Sequence, residues 1–204
     1  MNAPRPHDLL RLHDVHTVIP SDAPRWVADS LHETPWVVVR RARCAHGVVP
    51  VGVRGATRAQ RHALTVALTT IAEVVTPEDL SRREPPARAP AFEALRMVRN
   101  HLSASLFRWG PTGSVGFELA TGTPTVHPDS DLDLLIRAPV VDPTTMRLLR
   151  ETHGILADQN IRVDCQVETD GGAVALSELC SGSVELMIRT ADGPALVDAA
   201  ALSR

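Results

Sequence analysis

The segment that most constrains this chain runs from Gly113 to Ile136 and reads GSVGFELATGTPTVHPDSDLDLLI. It ends in an apolar run, typical of a β-strand, that carries Asp131 and Asp133. Side chains two residues apart on a strand share one face and lie roughly 6 to 7 Å apart along the chain. Two carboxylates on one face make a poor core but bind hard divalent cations well, and the chain contains no Lys to neutralise them. The spacing therefore predicts a cation site at the start of this strand.

The segment opens with Gly113 and Ser114, which are predicted to form a phosphate-binding turn. Glycine has no Cβ, so an anion can approach the backbone N–H groups closely. A phosphate-binding turn together with paired carboxylates is the combination of groups that nucleotidyl transfer requires. The Asp pair alone carries little information, because the chain contains 14 Asp and Asp129 forms a second such pair with Asp131. The prediction therefore depends on the whole constellation, including a third acid on a later strand.

The third acid follows a predicted helix. Asp142 and Pro143 are suited to the N-cap and the first helical position, and apolar residues at spacings of three and four predict a helix over residues 143–158. Residues 161–168 then alternate between apolar and polar, which is the pattern of a half-buried strand. Asp164 lies on the polar face of that strand.

The position of this strand decides whether Asp164 is functional. Strands that are consecutive in sequence are usually neighbours in a sheet, so Asp164 is expected beside Asp131 and Asp133. The alternative is a solvated face, since Arg162 and Glu168 also make this side of the strand polar.

The order of these motifs resembles the polymerase-beta-type nucleotidyltransferase superfamily. A longer string, Thr112 to Gly122 followed by His127 and then Ser130 to Leu134, is similar to the malonate decarboxylase holo-[acyl-carrier-protein] synthase family, the phosphoribosyl-dephospho-CoA transferases. The similarity covers most of the chain, because it extends to residues 5–10, to residues 50–55 and to the strand of Asp164.

The resemblance implies an α/β (α+β) fold, with a nucleotidyltransferase-like mixed sheet and helices behind a small N-terminal α/β domain. It implies transfer of the 2′-(5″-phosphoribosyl)-3′-dephospho-CoA group from its triphosphate precursor to a serine of the apo malonate decarboxylase acyl carrier protein, with release of pyrophosphate. Asp131 and Asp133 then bind Mg²⁺, and Asp164 completes a two-metal site or accepts the serine proton. The alternatives are another nucleotidyltransferase, which moves a nucleoside monophosphate to a small molecule or protein, and a non-catalytic carrier-protein-binding module.

Residues around the segment are predicted to bind the substrate. Arg108 precedes the Gly-Ser pair and either reaches a phosphate or pairs with Glu118. His127 either serves the nucleotide or only shapes its turn. The matched string supplies the others, so the predicted set is Arg108, Gly113, Ser114, Gly116, Glu118, His127 and Ser130.

Composition narrows the range of partners and compartments. A formal net charge of −3 and an aromatic content of 3% disfavour a nucleic-acid partner, which usually requires a basic face with aromatic side chains. Three scattered cysteines without CxxC spacing disfavour a disulfide framework and favour a reducing cytoplasm. No run reaches about 18 apolar residues, so neither a membrane span nor export is predicted. His7, His13 and His16 lack partnering ligands and are expected to be solvated or capping residues.

The chain is predicted to divide into a small N-terminal α/β domain over residues 1–80, a Pro-rich linker over 81–91 and a catalytic domain over 92–204. In the first domain the basic segment of Arg40, Arg41 and Arg43 is a candidate docking surface, because carrier proteins of this type are usually acidic.

Several further elements are predicted from periodicity. Two β-rich runs, 36–39 and 48–53, predict a hairpin. A helix is expected from Thr57 to Val75, with Leu64, Leu68 and Ile71 on the same apolar stripe as Val75. The remaining predictions are helices over 92–107 and 176–180 and a final strand over 184–190.

Overall fold

The computed structural model describes residues 3–57 and 59–203, and the chain divides after Thr76 into two compact units. The division falls before the predicted boundary at residue 80, and the segment 81–91 belongs to the second unit. Both units combine helices with sheets, so the predicted α+β class is confirmed.

The first unit is an antiparallel sheet in the order β4-β3-β2-β1-β5 with one helix, α1, packed on it. The predicted hairpin is confirmed, since β2 and β3 pair antiparallel with Val38 opposite Gly52. Val27 and Leu31 of α1 share an aliphatic core with the strands. The elements are β1 Leu9–Leu12, α1 Arg25–Glu33, β2 Trp36–Val39, β3 Val48–Arg54, β4 Arg61–Ala67 and β5 Ile71–Val75.

The prediction of a helix from Thr57 to Val75 is wrong. Residue 58 lies outside the described residues, and residues 61–75 form β4, a 3₁₀ turn over Leu68–Thr70 and β5. The burial of this stretch has period two, because Leu64 and Val66 are buried between exposed neighbours, and it is rich in β-branched residues that favour strands. Leu68, which completed the helical stripe, is 45% exposed. The apolar spacing of this stretch also fits a helix. Hydrogen bonding of β4 along the whole length of β3 therefore decides in favour of a strand.

The second unit is built on a mixed sheet in the order β11-β10-β9-β8-β7-β6. Its β7 and β8 strands pair parallel, whereas the other pairs are antiparallel. The elements are α2 Pro77–Leu80, α3 Pro90–Ala104, β6 Arg108–Pro111, α4 Gly113–Thr121, β7 Leu132–Arg137, α5 Pro143–Ala157, β8 Val163–Thr169, β9 Gly172–Ala175, α6 Leu176–Cys180, β10 Glu185–Thr190 and β11 Gly193–Asp198, followed by a 3₁₀ turn over Ala199–Ser203.

The β7-α5-β8 crossover agrees with the sequence prediction. Asp142 caps α5, where its Oδ1 accepts a hydrogen bond from Thr145 N at 2.7 Å, and Pro143 occupies the first turn. Leu149 and Leu156 of α5 are buried in the core that the helices form against the sheet. A helical crossover joins parallel neighbouring strands, and β8 accordingly lies next to β7.

Three predictions about this unit need correction. Gly113 and Ser114, predicted to form a turn, are instead the first residues of helix α4. Asp131 precedes β7 rather than lying within it. The strand β10 is not the last, because β11 follows through a short turn over Ala191 and Asp192 and forms the sheet edge. In the described parts of the chain, no helix is both long enough and apolar enough to span a membrane.

Candidate active site

The parallel pairing of β7 with β8 brings two of the predicted carboxylates together. Asp133 and Asp164 are direct partners in the register, which places them on neighbouring strands about 4.8 Å apart. Leu132 and Leu134, on either side of Asp133, face the core, so alternation turns Asp133 to the other side of the sheet. Both carboxylates are partly exposed. The expected juxtaposition of Asp133 and Asp164 is confirmed.

Asp131 lies at the entrance to β7, two residues before Asp133 and partly exposed. Its charge acts on Arg162, whose pKa is raised by the hydrogen bond to Asp164 and by the charges of Asp164, Asp131 and Asp133. All three predicted carboxylates therefore act on one point at the start of the strand pair.

Gly113 is in contact with the Asp133 side chain. Its φ of +61° is a left-handed conformation that favours glycine. A Cβ added here would overlap Asp133 Oδ2, and Thr112 N donates a hydrogen bond to Asp133 O at 2.8 Å. The turn between β6 and α4 thus packs on the carboxylate through a residue that cannot carry a side chain.

The first turn of α4 lies beside this contact. Ser114 is the second residue of the helix and partly exposed, so the positive end of the helix dipole is next to Asp133. Gly116 has a packing role in the fold, because it is buried and an added Cβ would come within 2.7 Å of Pro111 O. The helix terminus, rather than a flexible loop, presents the N–H groups of the Gly-Ser pair.

Glu118 holds the loop that leads to the carboxylates. Its Oε2 accepts hydrogen bonds from Thr125 N at 2.8 Å and Val126 N at 2.9 Å, and its Oε1 pairs with Arg88. Burial raises the pKa of Glu118, but the two backbone hydrogen bonds and Arg88 outweigh it, so the pKa is lowered overall. Arg88 Nη1 also donates to Val126 O at 3.0 Å. The Glu118 carboxylate is thus bound to the chain, and its predicted role with substrate stays a prediction.

The same loop ends in a turn made by His127 and Ser130. His127 N donates to Ser130 Oγ at 2.9 Å, and Ser130 N donates to His127 O at 3.1 Å. The side chain of His127 is exposed. The Ser130 hydroxyl therefore shapes the turn immediately before Asp131.

Arg108 is not brought to this site. In the antiparallel register of β6 and β7, Arg108 lies opposite Arg137 at the end of β7. Pro111, at the other end of β6, lies opposite Leu134. Arg108 Nη2 lies 3.3 Å from Glu78 Oε1, so its ion-pair partner is not the expected Glu118, and the predicted contact with a phosphate stays a prediction. The antiparallel register places Arg108 roughly 13 Å along the strand from Asp133.

Among the described residues, Arg162 belongs to the cluster, although the sequence pattern placed it only on a polar strand face. Its Nε donates to Asp164 Oδ1 at 3.0 Å, and its Nη2 lies 3.0 Å from Asp164 Oδ2. The available signal was the spacing, because residues 162 and 164 share a strand face as Asp131 and Asp133 do. This spacing indicated only that one face of β8 is polar. The register of β7 and β8 shows that Asp131 and Asp133 lie on the same face of the sheet as Arg162 and Asp164.

The donor set suits a hard divalent cation such as Mg²⁺, which prefers carboxylate oxygens. Within residues 3–57 and 59–203, however, no group of three or more His, Cys, Asp and Glu side chains is arranged so that it could hold a metal ion. Asp164 is bound by Arg162 on both oxygens. Asp131 and Asp133 supply carboxylate oxygens of the kind that such a cation prefers, whereas both oxygens of Asp164 are bound by Arg162, so cation binding here stays a prediction.

Comparison with known proteins gives matches over nearly the whole chain. The family model described as phosphoribosyl-dephospho-CoA transferase MdcG C-terminal domain matches residues 78–200, and the corresponding N-terminal domain model matches residues 5–77. No solved structure gives a significant match.

Curated relatives carry the name phosphoribosyl-dephospho-CoA transferase. A Pseudomonas putida relative is 46% identical over 197 residues, which is 97% of this chain and 95% of the relative. A relative from Pseudomonas aeruginosa PAO1 is 41% identical over 199 residues, covering 96% of this chain and 92% of its own. One from Klebsiella pneumoniae strain 342 is 42% identical over 181 residues, covering 87% and 86% respectively.

Proposed function

The chain belongs to the phosphoribosyl-dephospho-CoA transferase MdcG family, and on that premise we propose that it attaches a prosthetic group to a carrier protein. The enzyme transfers the 2′-(5″-phosphoribosyl)-3′-dephospho-CoA group from its triphosphate precursor to a serine of the apo malonate decarboxylase acyl carrier protein. The serine oxygen forms a bond to the α-phosphorus, the bond from that phosphorus to pyrophosphate breaks, and the serine proton leaves.

One observation carries this proposal: Asp133 and Asp164 are register partners at the end of the sheet where Gly113 packs on Asp133. Carboxylates on adjacent parallel strands beside a helix N-terminus fit a polyphosphate that brings divalent cations. The aspartates are therefore proposed as the reacting centre, with Asp131 and Asp133 as ligands of one or two Mg²⁺ ions.

The chain's own groups orient the reactants. Asp164 either completes the cation site or accepts the serine proton, in both cases after Arg162, which binds both of its oxygens, has moved away. Ser114 and the first turn of α4 bind the phosphates through backbone N–H groups. Bound Mg²⁺ supplies positive charge at the attacking and leaving oxygens.

The remaining predicted contacts differ in how the fold supports them. The exposed His127 side chain can reach a ligand, whereas Glu118, Gly116 and Ser130 support the segment that carries the aspartates. Arg108, at the far end of β6, is suited only to a distant part of the long donor.

We also propose that the first unit docks the carrier protein and that the reaction takes place in the cytoplasm. Arg40 and Arg43 are exposed and Arg41 is half-buried in the connection between β2 and β3. Complementary charge on an acidic carrier would speed the encounter of the two proteins more than it would tighten their complex.

The test is an intact-mass measurement of apo carrier protein incubated with the enzyme, the triphosphoribosyl donor and Mg²⁺. We expect the carrier mass to rise by the donor minus pyrophosphate, and a carrier with its acceptor serine replaced by alanine to stay unchanged. An unchanged wild-type carrier, with ready transfer of AMP from ATP to another acceptor, would favour a different nucleotidyltransferase. No transfer to any acceptor would favour a non-catalytic binding module.

A further inference from the structure

Arg162 holds the carboxylate that the proposed reaction needs. Its guanidinium faces both oxygens of Asp164, with Nε 3.0 Å from Oδ1 and Nη2 3.0 Å from Oδ2. This two-point geometry is the one in which arginine binds a carboxylate most specifically. Arg162 is also the residue immediately before β8, two residues from its partner, so both side chains lie on the same face.

The backbone places Arg162 beside the strand segment that carries the other two carboxylates. Leu132 N donates a hydrogen bond to Arg162 O at 3.0 Å, which sets Arg162 beside the residues that flank Leu132, namely Asp131 and Asp133. Like charges on paired strands repel one another. The positive charge of Arg162 thus opposes the repulsion among these carboxylates, at the place that a divalent cation would take.

The exposure of this ion pair indicates that it can exchange. The Arg162 and Asp164 side chains are 70% and 46% exposed, and exposed pairs contribute little to stability because water and salt screen them. Within residues 3–57 and 59–203 the carboxylates are not arranged as a group of three metal ligands, which agrees with Asp164 being bound by Arg162.

We propose that Arg162 is a resident counter-cation, which binds Asp164 in the cation-free protein and is displaced from it when a divalent cation enters. The inference rests on the proposed function, because it takes Asp131, Asp133 and Asp164 as the cation site. Arg162 is a positioning residue, since it acts through Asp164. It holds Asp164 at the start of the strand pair without a cation and makes ligation by Asp164 depend on its own displacement.

The test measures Mn²⁺ binding to the full-length protein by electron paramagnetic resonance, with no donor or carrier present. Arg162→Gln removes the charge but keeps a polar side chain, and we expect it to bind Mn²⁺ roughly tenfold more tightly than the wild type, because a competing unit charge is gone. Arg162→Lys keeps the charge but cannot face both oxygens, so its affinity should lie between the two.

The matched control is Arg147→Gln. Arg147 pairs with Glu151 on α5 at 2.9 Å, and the two side chains are 63% and 52% exposed. The substitution makes the same change in net charge at a comparably exposed pair away from the aspartates, so Mn²⁺ affinity should stay at the wild-type value. A shift equal to that of Arg162→Gln would mean that overall charge alone sets the affinity, and would overturn the proposal.

Two other outcomes separate this inference from the proposed function. If Asp133→Asn abolishes Mn²⁺ binding but Arg162→Gln binds no more tightly than the wild type, the cation site stands and the role of Arg162 is wrong. If the wild type binds no Mn²⁺, or Asp133→Asn binds it normally, both the cation site and the role of Arg162 are wrong.

Discussion

Two arginine–carboxylate pairs on the sheet of the second unit differ mainly in their exposure. Arg137 Nε lies 2.8 Å from Glu78 Oε1, and these side chains are only 8% and 13% exposed. The pair of Arg162 and Asp164 is 70% and 46% exposed. The buried pair joins α2 to the end of β7, and breaking it would leave a charge in the interior. The exposed pair can open into water. An arginine–carboxylate ion pair therefore stabilises the fold at Glu78 and Arg137, whereas at Asp164 and Arg162 the same kind of pair is proposed to exchange.

The largest effect is expected where carboxylates act on ligands rather than on the fold. Asp131→Asn or Asp133→Asn removes a negative charge from the proposed cation site, so the rate of carrier modification should fall about 100- to 1000-fold, the usual cost of losing such an electrostatic group. Folding should survive, because both side chains are partly exposed. Asp129→Asn is the control, since Asp129 is exposed in the preceding turn. Near-normal rates with normal Mg²⁺ dependence in Asp131→Asn would contradict the cation site.

The buried pair should govern stability instead. Glu78→Gln removes the carboxylate that Arg137 Nε binds, so the free energy of unfolding should fall by about 3 kcal/mol, as when one partner of a buried ion pair is lost. Urea denaturation followed by circular dichroism measures this, and Arg162→Gln should leave the midpoint almost unchanged. Equal midpoints for the two variants would remove the distinction between the pairs.

The glycine that packs on Asp133 links stability to activity. Gly113→Ala and Gly122→Ala both place a side chain at positive φ, +61° and +75°, which costs roughly 1 to 2 kcal/mol each. Only at Gly113 does the new Cβ also overlap Asp133 Oδ2, whereas nothing lies within 4 Å at Gly122. We therefore expect a further activity loss of about tenfold or more in Gly113→Ala alone. Equal transfer rates for the two variants, corrected for folded fraction, would show that this contact does not position the carboxylate.

The smallest effect concerns pH and the loop behind the site. The pKa of Glu118 is lowered in the folded state from its usual 4.5, so its contribution to stability is present above that pH and is lost as the pH falls through the folded-state value. Glu118→Gln should reduce the free energy of unfolding by about 1 to 2 kcal/mol at neutral pH, since hydrogen bonds to a charged group are weakened. The difference from the wild type should shrink below about pH 4.5. A difference that is constant from pH 7 to pH 3 would exclude this linkage.

The part of the site that could be predicted from sequence is the part encoded locally. Asp142 and Pro143 begin α5, the alternation of residues 161–168 gives β8, and a helical crossover makes neighbouring parallel strands the expected arrangement. These facts place Asp164 on the strand next to Asp133, and the register of the two strands then makes them direct partners.

The parts that could not be predicted depend on partners distant in sequence. Glu118 binds Arg88, 30 residues away, and Arg108 binds Glu78, so neither role has a local signal. The run from Leu64 to Val75 has spacings that fit a helix, and only its pairing with the neighbouring strands makes it two strands. Arg162 was visible as a polar residue, but the shared register with β7 gives it three carboxylate neighbours.

The most direct test of the central claim, that the start of β7 and β8 is where cation and donor bind, is a thermal-unfolding measurement with and without Mg²⁺ and the triphosphoribosyl donor. A ligand that binds only the folded state stabilises it, by about 2.7 kcal/mol at one hundred times its dissociation constant. We predict a clear rise in Tm for the wild type and for Asp129→Asn, and no rise for Asp133→Asn. An equal rise in all three proteins would contradict the claim, because the ligands would then bind elsewhere.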